Sequence, residues 1–509
     1  MVTRQRVQIG IFLMIFYLVT RLPFLTKIPI FTDEAIYIRW GQVALNDPQH
    51  RFISLEDGKQ PLFIWLMLPL LKFIGDPLMA GRLISNFAGL ATMFGIIILT
   101  SKLFNQKVGF LAGLIYIVSP FFLLYDRLAL YDSLTTAIMV WSMYLSVILA
   151  QAIRLDAALL LGMTVGAGLL TKSSAQFSLI LLPVSLLLFD FKSPRRQNRI
   201  ISWCGLALIA AVLALTFQTI LKLSPLGYMV GLKNLTFVVS LGEFFTDPFS
   251  RIIGNLRGLT NWLVQYLTVP MLLPLIIGIT AGIRKKTNIT IFILSWFMVP
   301  ILALAAFGRV LYPRFVLFMA IPLVILMALG LSRISDLLKP AFHRSRFLLV
   351  SLSRRSVFFA FCFLLFAFPA YISLQLIVDP VNAAIPGVDR DQLFDNWPSG
   401  YGIPEVVSLL KDLSMNEKIF VGTEGTFGLT PYALNIYLRE NNNVEIKGYW
   451  PISDGMNELI EIAKTGKPTY VLFKDTQTPN PQWPLTLVSK YQKGKGNVHM
   501  NFYRVLPPE

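Results

Sequence analysis

Long apolar runs separated by short polar segments dominate the chain from residue 8 to residue 377. A helix of about 20 apolar residues crosses roughly 30 Å of hydrocarbon. We predict about eleven such spans, at 8–27, 78–101, 108–124, 133–152, 156–170, 174–190, 200–222, 259–283, 288–307, 314–332 and 356–377. The pattern therefore indicates a polytopic all-α membrane domain at 1–377, with one long polar interruption, the first external loop, at 28–77.

Basic segments between the spans predict the orientation of the chain. They lie at 3–6, 101–107, 191–199, 284–288 and 332–356. All of these segments lie on the same side of the membrane if the apolar stretch 59–75 lies flat in the membrane interface. If 59–75 spans the membrane, the later basic segments change sides. We interpret 59–75 as interfacial and the first apolar run as a retained span, not a cleaved signal peptide. The N-terminus is then cytoplasmic, and the first external loop and the end of the chain are extracytoplasmic.

The hydrophobic pattern changes after residue 377. Short runs with β-strand character, at 418–423, 443–450, 468–473 and 498–506, alternate with helical patterns at 402–413 and 453–466. We predict a small extracytoplasmic α/β domain at 378–509. Its glycine-rich segment 422–428 could hold a phosphate, but no clear helix start follows it, so the glycines are interpreted as turn residues.

Composition and charge narrow the class of protein. The chain is 55% hydrophobic and 14% charged, with a mean hydropathy of +0.62 and a formal net charge of +17. A soluble protein carries about a quarter charged residues. The basic excess lies between spans, which suits membrane topology and not nucleic-acid binding. Cys204 and Cys362 fall within predicted spans, so a disulfide framework is excluded, and three scattered histidines make a histidine-based metal site improbable.

Asp33 and Glu34 form an acidic pair in the first external loop. A loop of about fifty residues in a chain with otherwise short connections is more often functional than idle. The alternative is that the pair is solvated and caps the helix that begins near Ala35. The sequence alone weighs these two interpretations about equally.

Other charged or phenolic side chains are predicted at the same outer boundary of the membrane. These are Lys59, Arg82, Arg127, Asp132, Lys172, Arg309, Tyr312 and Arg314. Each has a plain alternative, since an aspartate can cap a helix, a lysine can snorkel, and a buried arginine can pair with a carboxylate of a neighbouring helix. Together they place carboxylates and cations on one aqueous surface. Cations at that level suit an anionic lipid headgroup, and arginine binds phosphate in a bidentate way.

Glycosyl transfer from a lipid-linked sugar phosphate requires this combination of groups. The leaving phosphate gains negative charge as the sugar departs, and fixed cations stabilise that charge. The acceptor hydroxyl must lose a proton, for which one carboxylate is sufficient. The candidate catalytic carboxylates are Asp33, Glu34 and Asp132. The candidate substrate-binding residues are the cations and the tyrosine, namely Lys59, Arg82, Arg127, Lys172, Arg309, Tyr312 and Arg314. Such a single displacement would invert the anomeric centre.

Six short segments between residues 10 and 335 resemble the GT-C integral-membrane glycosyltransferases, and among them glycosyltransferase family 39, which includes protein O-mannosyltransferases and lipid A aminoarabinose transferases. The matching segments are FTDEAIY, GKQPLFIWL, AGRLISNFAGL, RLALYD, GLLTKSSA and YPRFVLFMAIPL. The resemblance does not extend to the C-terminal domain.

The resemblance implies a role for particular residues. Asp33 would be the catalytic base with Glu34 beside it, Lys59 and Arg82 would hold the donor phosphate, and Asp132 would support the acceptor or the donor sugar. The donor would be a polyprenyl-phosphate sugar, and the acceptor a protein, glycan or lipid. The sequence departs from the family pattern in two places: Gln60 replaces a proline, and Ser173–Ser174 replace Gly-Pro. These departures leave the substrate subclass open.

Two other classes are weighed against an enzyme. A transporter or flippase places its ionisable residues near mid-span, often at broken helices, whereas Asp33, Glu34 and Asp132 map to one outer surface. A membrane scaffold would leave the ionic cluster without a role and would tolerate any residue at position 33. No dinucleotide-binding fingerprint is present, no cofactor is assigned, and involvement of a divalent cation is left open. The sequence does not name the sugar, the carrier, the acceptor or the oligomeric state.

Overall fold

A computed structural model describes residues 4–247, 249–341 and 354–507 of the chain. Residues 342–353, within the predicted basic segment 332–356, lie outside the described residues. The helices, numbered in chain order, are α1 Arg4–Arg21, α2 Thr32–Asn46, α3 Leu62–Phe73, α4 Pro77–Leu103, α5 Gln106–Val118, α6 Pro120–Asp126, α7 Tyr131–Ala152, α8 Leu155–Leu169, α9 Phe177–Ile180, α10 Arg196–Gln218, α11 Met229–Phe237, α12 Leu241–Thr246, α13 Ile252–Leu267, α14 Leu272–Lys285, α15 Thr287–Phe307, α16 Ala320–Ala341, α17 Arg354–Val378, α18 Gly387–Arg390, α19 Ile403–Leu413, α20 Leu429–Leu438 and α21 Ile452–Lys464.

Several of these helices have the length and apolar character of membrane spans. In the described part of the chain, five pass as single helices, at Pro77–Leu103, Tyr131–Ala152, Arg196–Leu223, Thr287–Phe307 and Ala360–Val378. Two further pairs, α5 with α6 and α13 with α14, pass only if each bent pair counts as one span. The chain is thus a largely helical protein with membrane-spanning helices, as predicted, but several of the predicted spans are broken or short.

The bends have local causes. The segment predicted as one span at 259–283 bends by 96° at Thr268, which has a φ of +69° and precedes Val269-Pro270. The segment 108–124 bends by 65° at Ser119-Pro120. Proline lacks the N–H that would continue a helix and restricts the residue before it, so an apolar run alone overestimated the length of these spans.

The stretch 59–75 contains the short helix α3. With 12 residues, α3 is about 18 Å long, which is too short for the roughly 30 Å of a hydrocarbon core. Its face is mixed: Phe63 and Met67 are buried, while Leu66 and Phe73 are exposed. This geometry agrees with an interfacial helix.

The C-terminal region contains one five-stranded sheet. Its strands are β1 Ile419–Glu424, β2 Val444–Tyr449, β3 Thr469–Phe473, β4 Leu485–Gln492 and β5 His499–Val505. The strand order is β2-β1-β3-β5-β4, in which β1, β2 and β3 are parallel while β5 and β4 pair antiparallel. Strand β4 and helix α20 were missing from the sequence prediction. Helix α20 begins directly after the glycine-rich segment 422–428, so the expectation that no helix follows that segment was wrong.

The C-terminal region packs against the first external loop. The backbone N–H and the hydroxyl of Thr32 both donate to the carbonyl of Pro398, over 3.1 and 2.9 Å. Further along α2, Gln42 donates to the carbonyl of Ile436 in α20 over 3.0 Å. Apolar side chains of both regions belong to one continuous core. Hydrogen bonds to the C-terminal region therefore fix the position of α2, including its first turn.

Candidate active site

The first turn of α2 presents Asp33 to a cation from a distant part of the chain. Asp33 Oδ2 lies 3.0 Å from Arg314 Nη2, and both side chains are partly exposed, at 26% and 13%. Arg314 belongs to a short 3₁₀ helix, Pro313–Val316, just before α16. Its second nitrogen, Nη1, donates to Gln392 Oε1 over 3.3 Å. The carboxylate of Asp33 is thereby oriented by a charge that the C-terminal region also holds.

A second ion pair lies beside the first. Lys172 Nζ is 2.6 Å from Asp132 Oδ1. Asp132 lies in the first turn of α7, and Lys172 lies between the end of α8 and a 3₁₀ helix at Ser173–Gln176. The ammonium of Lys172 also lies 4.7 Å from the centre of the Phe315 ring, which is 6.0 Å from the Arg314 guanidinium carbon. Phe315 therefore lies in contact with both cations.

Lys59 completes the cluster from the first external loop. Its ammonium lies 5.3 Å from the ring of Phe237, and that ring is 5.9 Å from Phe315. Burial lowers the pKa of Lys59, while the charges of Asp33 and Asp57 act to raise it. The structure therefore brings Asp33, Lys59, Asp132, Lys172 and Arg314 together around two phenylalanine rings, as the sequence predicted.

The charges of this cluster do not balance. Asp33 is paired with Arg314, and Asp132 with Lys172. Across the described ranges 4–247, 249–341 and 354–507, no carboxylate lies within ion-pair distance of the Lys59 ammonium. A partly buried cation without a counter-ion favours binding of an anion. The cluster thus combines the Asp33 carboxylate with a cation, Lys59, that is available to bind an anionic group.

Glu34 does not face this cluster. Its side chain is fully buried, and its Oε2 lies 2.7 Å from Arg82 Nη2. Oε1 accepts from Arg82 Nε over 2.8 Å and from the N–H of Ala129 over 2.7 Å, and Oε2 also accepts from the N–H of Phe31 over 3.0 Å. Both carboxylate oxygens of Glu34 are therefore occupied by partners within the protein. This geometry favours a structural role for Glu34 over the catalytic role predicted beside Asp33.

Arg82 is equally occupied. Beyond its bonds to Glu34, its remaining N–H groups donate to three carbonyls of the connection before α2, those of Leu25, Ile28 and Pro29. A guanidinium has five N–H donors, and every one of them has an acceptor here. Arg82 is fully buried. The geometry does not favour the predicted contact of Arg82 with a donor phosphate; it favours positioning of the loop that carries Asp33.

Arg127 has a similar structural role. It is fully buried, and it donates to carbonyls at the end of α1, those of Thr20, Arg21, Pro23 and Phe24. Cations interact favourably with the last carbonyls of a helix. The predicted role of Arg127 in substrate binding is therefore not favoured either.

Of the two predicted binding residues Arg309 and Tyr312, only one lies at the cluster. Arg309 is 43% exposed and pairs with Glu243, 2.6 Å away, so it does not contribute to the cluster around Phe315. The ring of Tyr312 lies 4.6 Å from the Arg314 guanidinium carbon and packs on the edge of Phe315. Of these two predicted binding residues, Tyr312 is part of the candidate site.

Five residues that the sequence did not single out as site residues make contacts that involve the chain segments next to Lys59 and Lys172. Asp57 pairs with Lys233 over 2.5 Å. Asn234 donates to the hydroxyl of Ser173 over 3.0 Å, and Gln60 donates to the same hydroxyl over 2.8 Å. Two positions that depart from the family pattern, Gln60 and Ser173, therefore contact each other.

Asp389 is a further buried carboxyl next to this region. Its Oδ2 accepts from the hydroxyl of Tyr125 over 2.6 Å and from the hydroxyl of Tyr266. Only 2% of the residue is exposed, and burial raises the pKa of Asp389 to about 6. Asp389 lies in α18, so these bonds fasten the C-terminal region to α6 and α13. Nothing in the spacing of residues around Asp389 signalled this contact.

We expect Asp389 to make the stability of the protein depend on pH. The pKa of Asp389 is raised to about 6 in the folded protein, from about 3.9 in the unfolded chain. The contribution of Asp389 to the free energy of unfolding is therefore greatest when the carboxyl is protonated, and it declines as the pH rises from about 4 to about 6. Asp389→Asn has no such titration. The apparent Tm of the variant minus that of the wild type should rise across this window; parallel pH curves would contradict the assignment.

The acidic residues also bear on metal binding. Within the described part of the chain, no three side chains among histidine, cysteine, aspartate and glutamate converge on one point. The carboxylates of the cluster, Asp33 and Asp132, each have a cationic partner. A divalent cation prefers six or more oxygen ligands, so it would need substrate oxygens in addition to these carboxylates.

Comparisons with known proteins concern the fold and one segment of the sequence. Residues 58–219 match the family model described as dolichyl-phosphate-mannose-protein mannosyltransferase. That segment contains Lys59, Asp132 and Lys172 of the cluster. No curated protein matches the chain.

Solved structures match over almost the whole chain. ArnT from Cupriavidus metallidurans in the apo state aligns with a TM-score of 0.60 and 13% identity, covering 99% of this chain and 99% of that one. The same protein bound to undecaprenyl phosphate aligns with a TM-score of 0.58 and 12% identity, again over 99% of both chains. The archaeal oligosaccharyltransferase AglB from Archaeoglobus fulgidus, in complex with an inhibitory peptide and a dolichol-phosphate, aligns with a TM-score of 0.51 and 13% identity over 92% of this chain and 69% of that one.

These matches cover both the helical part and the C-terminal sheet, although the sequences have diverged widely. The resemblance to the GT-C integral-membrane glycosyltransferases is therefore confirmed at the level of the fold, and residues 58–219 carry the sequence pattern of the dolichyl-phosphate-mannose-protein mannosyltransferase family.

Proposed function

We propose that the protein transfers a glycosyl group from a polyprenyl-phosphate carrier to an acceptor on the extracytoplasmic side of the membrane. The observation that carries the proposal is the Lys59 ammonium, which lacks a carboxylate partner among the described residues and shares a cluster with the carboxylate of Asp33. Support comes from the fold, because one structural match holds undecaprenyl phosphate and another a dolichol-phosphate.

The cluster offers each group that the reaction needs. Asp33 would take the proton of the acceptor hydroxyl. The oxygen would then attack the anomeric carbon while the bond from that carbon to the phosphate oxygen breaks, with inversion. The carrier phosphate leaves with an additional negative charge, which Lys59 and the nearby Lys172 and Arg314 would stabilise. Asp132 would keep Lys172 in place through their ion pair.

An apolar groove is available for the carrier chain. It has a volume of about 600 Å³ and lies along α3, the helix that follows Lys59. Its apolar lining consists of Leu45, Phe52, Trp65, Leu68, Pro69, Ile220 and Leu223. Arg51 and Lys72 lie at the same groove.

The identity of the donor can be tested directly. We expect purified protein to retain lipid, and mass spectrometry of the extracted lipid should find an isoprenoid phosphate that bears a sugar. Proteoliposomes that contain this lipid should then release the free carrier phosphate in the presence of acceptor. Retention of phospholipid alone, together with no consumption of any polyprenyl-phosphate sugar, would contradict the proposal.

Lys59→Met should weaken donor binding. A hydrogen bond to a charged group contributes about 1.5–3 kcal/mol, so the Kd for undecaprenyl phosphate should rise by about 10- to 100-fold. Native mass spectrometry or thermophoresis of the protein in nanodiscs would measure this Kd. The matched control is Arg309→Gln, which removes a cation that is already paired with Glu243 at the surface. Equal Kd values for Lys59→Met and the wild type would show that Lys59 does not bind the phosphate.

A further inference from the structure

The carboxyl ends of β1 and β3 form a second place with the features of a ligand site. The connection after β1 leads to one side of the sheet, towards β2, while β3 lies on the other side of β1. In open α/β sheets, ligands bind in the crevice at such a topological switch point. The residues at this edge are Gly425, which follows β1 with a φ of +104°, and Lys474, which follows β3.

Lys474 lies in this crevice with an unusual set of neighbours. Only 8% of the residue is exposed. Its ammonium lies 4.6 Å from the centre of a Trp397 ring and 5.6 Å from that of Trp450. In the three described stretches of the chain, no acceptor or carboxylate pairs with this ammonium. Burial lowers the pKa of Lys474, against the opposing charge of Glu424.

Glu424 does not neutralise Lys474 by an ion pair. Its buried carboxylate accepts from the backbone N–H of Lys474 over 2.7 Å and from the N–H and hydroxyl of Thr476. A second buried cation, Lys493, donates to the carbonyls of Trp397 and Lys474 over 2.9 and 3.4 Å. The backbones that carry the indole ring and the ammonium are therefore fixed before any ligand arrives.

The two tryptophans remain accessible. Trp397 is 37% exposed and Trp450 is 57% exposed, although large aromatic side chains gain by burial. Indole rings stack on the C–H faces of pyranose sugars, and a nearby cation binds a carboxylate or phosphate group. Aromatic walls with a few convergent polar groups are typical of small-molecule sites. The combination suits a saccharide that bears a negative charge.

This crevice adjoins the candidate active site. Pro398, directly after Trp397, accepts both hydrogen bonds of Thr32, the residue before Asp33. On the other side, a Cβ added at Gly428 would lie 3.4 Å from Thr32 Cγ2. The backbone segment that carries Trp397 is therefore hydrogen-bonded to the helix start that carries the proposed base.

We propose that the crevice at Lys474, Trp397 and Trp450 binds an acidic saccharide and that this saccharide is the acceptor of glycosyl transfer. The acceptor role of the saccharide rests on the proposed function. Binding of the saccharide to the crevice does not depend on it. The negative group lies at the Lys474 ammonium, and the sugar rings stack on the exposed indoles.

Binding to the full-length protein in nanodiscs tests the proposal. The probes are tetragalacturonate, the neutral mannotetraose and inorganic phosphate, and the signal is quenching of tryptophan fluorescence, checked by calorimetry. We expect tetragalacturonate to bind at least about tenfold more tightly than either other probe, since both the charge and the ring stacking contribute. Lys474→Gln and Trp450→Ala should each raise its Kd by about tenfold or more. Trp450→Ala alters an exposed residue, so folding should be retained.

The matched control is Lys447→Gln, which removes a cation of the same sheet that is already paired with Glu458, and it should leave the Kd unchanged. Equal affinity for mannotetraose and tetragalacturonate, or unaltered affinity in Lys474→Gln and Trp450→Ala, would overturn the proposal. Phosphate binding as tight as that of the saccharide would also overturn it. Undecaprenyl phosphate binding is measured on the same samples: its absence from the wild type contradicts the proposed function, independently of the saccharide result.

Discussion

Asp33→Asn should lower the rate of glycosyl transfer by about 10²- to 10⁴-fold, the contribution that a positioned general base makes. The amide cannot accept the proton of an acceptor hydroxyl, although it occupies the same space beside Arg314. Donor binding should persist, because the cation without a carboxylate partner, Lys59, is unchanged. Turnover in proteoliposomes with a polyprenyl-phosphate sugar as donor measures the effect.

A matched control for this variant is Asp57→Asn. Asp57 belongs to the same external loop and has nearly the same exposed fraction, 28% against 26% for Asp33. It pairs with Lys233 and does not contact Arg314. We expect this variant to keep most of its activity. If Asp33→Asn transferred sugar as fast as the wild type, Asp33 would not be the base.

Glu34→Gln should destabilise the fold by about 3–5 kcal/mol, the cost of leaving one partner of a buried ion pair unpaired. The sequence alone placed Glu34 beside Asp33 as a catalytic residue. The structure gives a reason for a loss of folded protein, because Arg82 would remain buried without its carboxylate. Thermal unfolding in detergent, followed by tryptophan fluorescence, measures the change.

A double variant separates the ion pair from general damage. Arg82→Met alone should also destabilise the protein, whereas Glu34→Gln with Arg82→Met should recover part of the loss, because neither charge is then left alone. Stabilities of all three variants that equal the wild type would show that the pair does not hold the loop. Two single effects that simply add in the double variant would show that the residues are not coupled.

The sequence predicted some of the charged residues that meet, but not how they divide their roles. Of the charged residues predicted at one surface, five lie together in the structure, namely Asp33, Lys59, Asp132, Lys172 and Arg314. Four others have separate partners, namely Glu34, Arg82, Arg127 and Arg309. Successive side chains of a helix are about 100° apart, so Glu34 points into the protein towards Arg82 while Asp33 faces Arg314. Helix phase at a helix start cannot be read from two adjacent acids without knowing where the helix begins.

The buried arginines show a second limit of the sequence. Arg82 and Arg127 lie at span ends, where an arginine that binds phosphate and one that binds carbonyls look alike. The partners of Arg82 before α2 are backbone carbonyls of an irregular segment, and backbone groups leave no signature in residue identity. For the same reason, the bend at Thr268 and the docking of Asp389 on Tyr125 and Tyr266 became visible only in three dimensions.

The C-terminal sheet was predicted in part. Strands β1 and β3 have the apolar and β-branched residues typical of buried strands and are buried throughout, and β5 is mostly buried. Strand β2, VEIKGY, alternates apolar and charged residues and is only partly buried. Strand β4, by contrast, has a mostly exposed side-chain pattern and the sequence LTLVSKYQ, which resembles a polar connection. Helix α20 begins with Leu-Thr-Pro after Gly428, and no aspartate, asparagine or serine marks its start.

The hydrogen bond between Gln60 and Ser173 joins two positions at which the sequence departs from the pattern of glycosyltransferase family 39. A proline at position 60 has no amide with which to reach Ser173, and a glycine at 173 has no hydroxyl to receive it. Loss of Gln60 alone would leave the Ser173 hydroxyl with one amide donor, Asn234, whereas loss of Ser173 would leave both amides without this acceptor. The hydroxyl at position 173 is therefore the part of this departure on which the other two side chains depend.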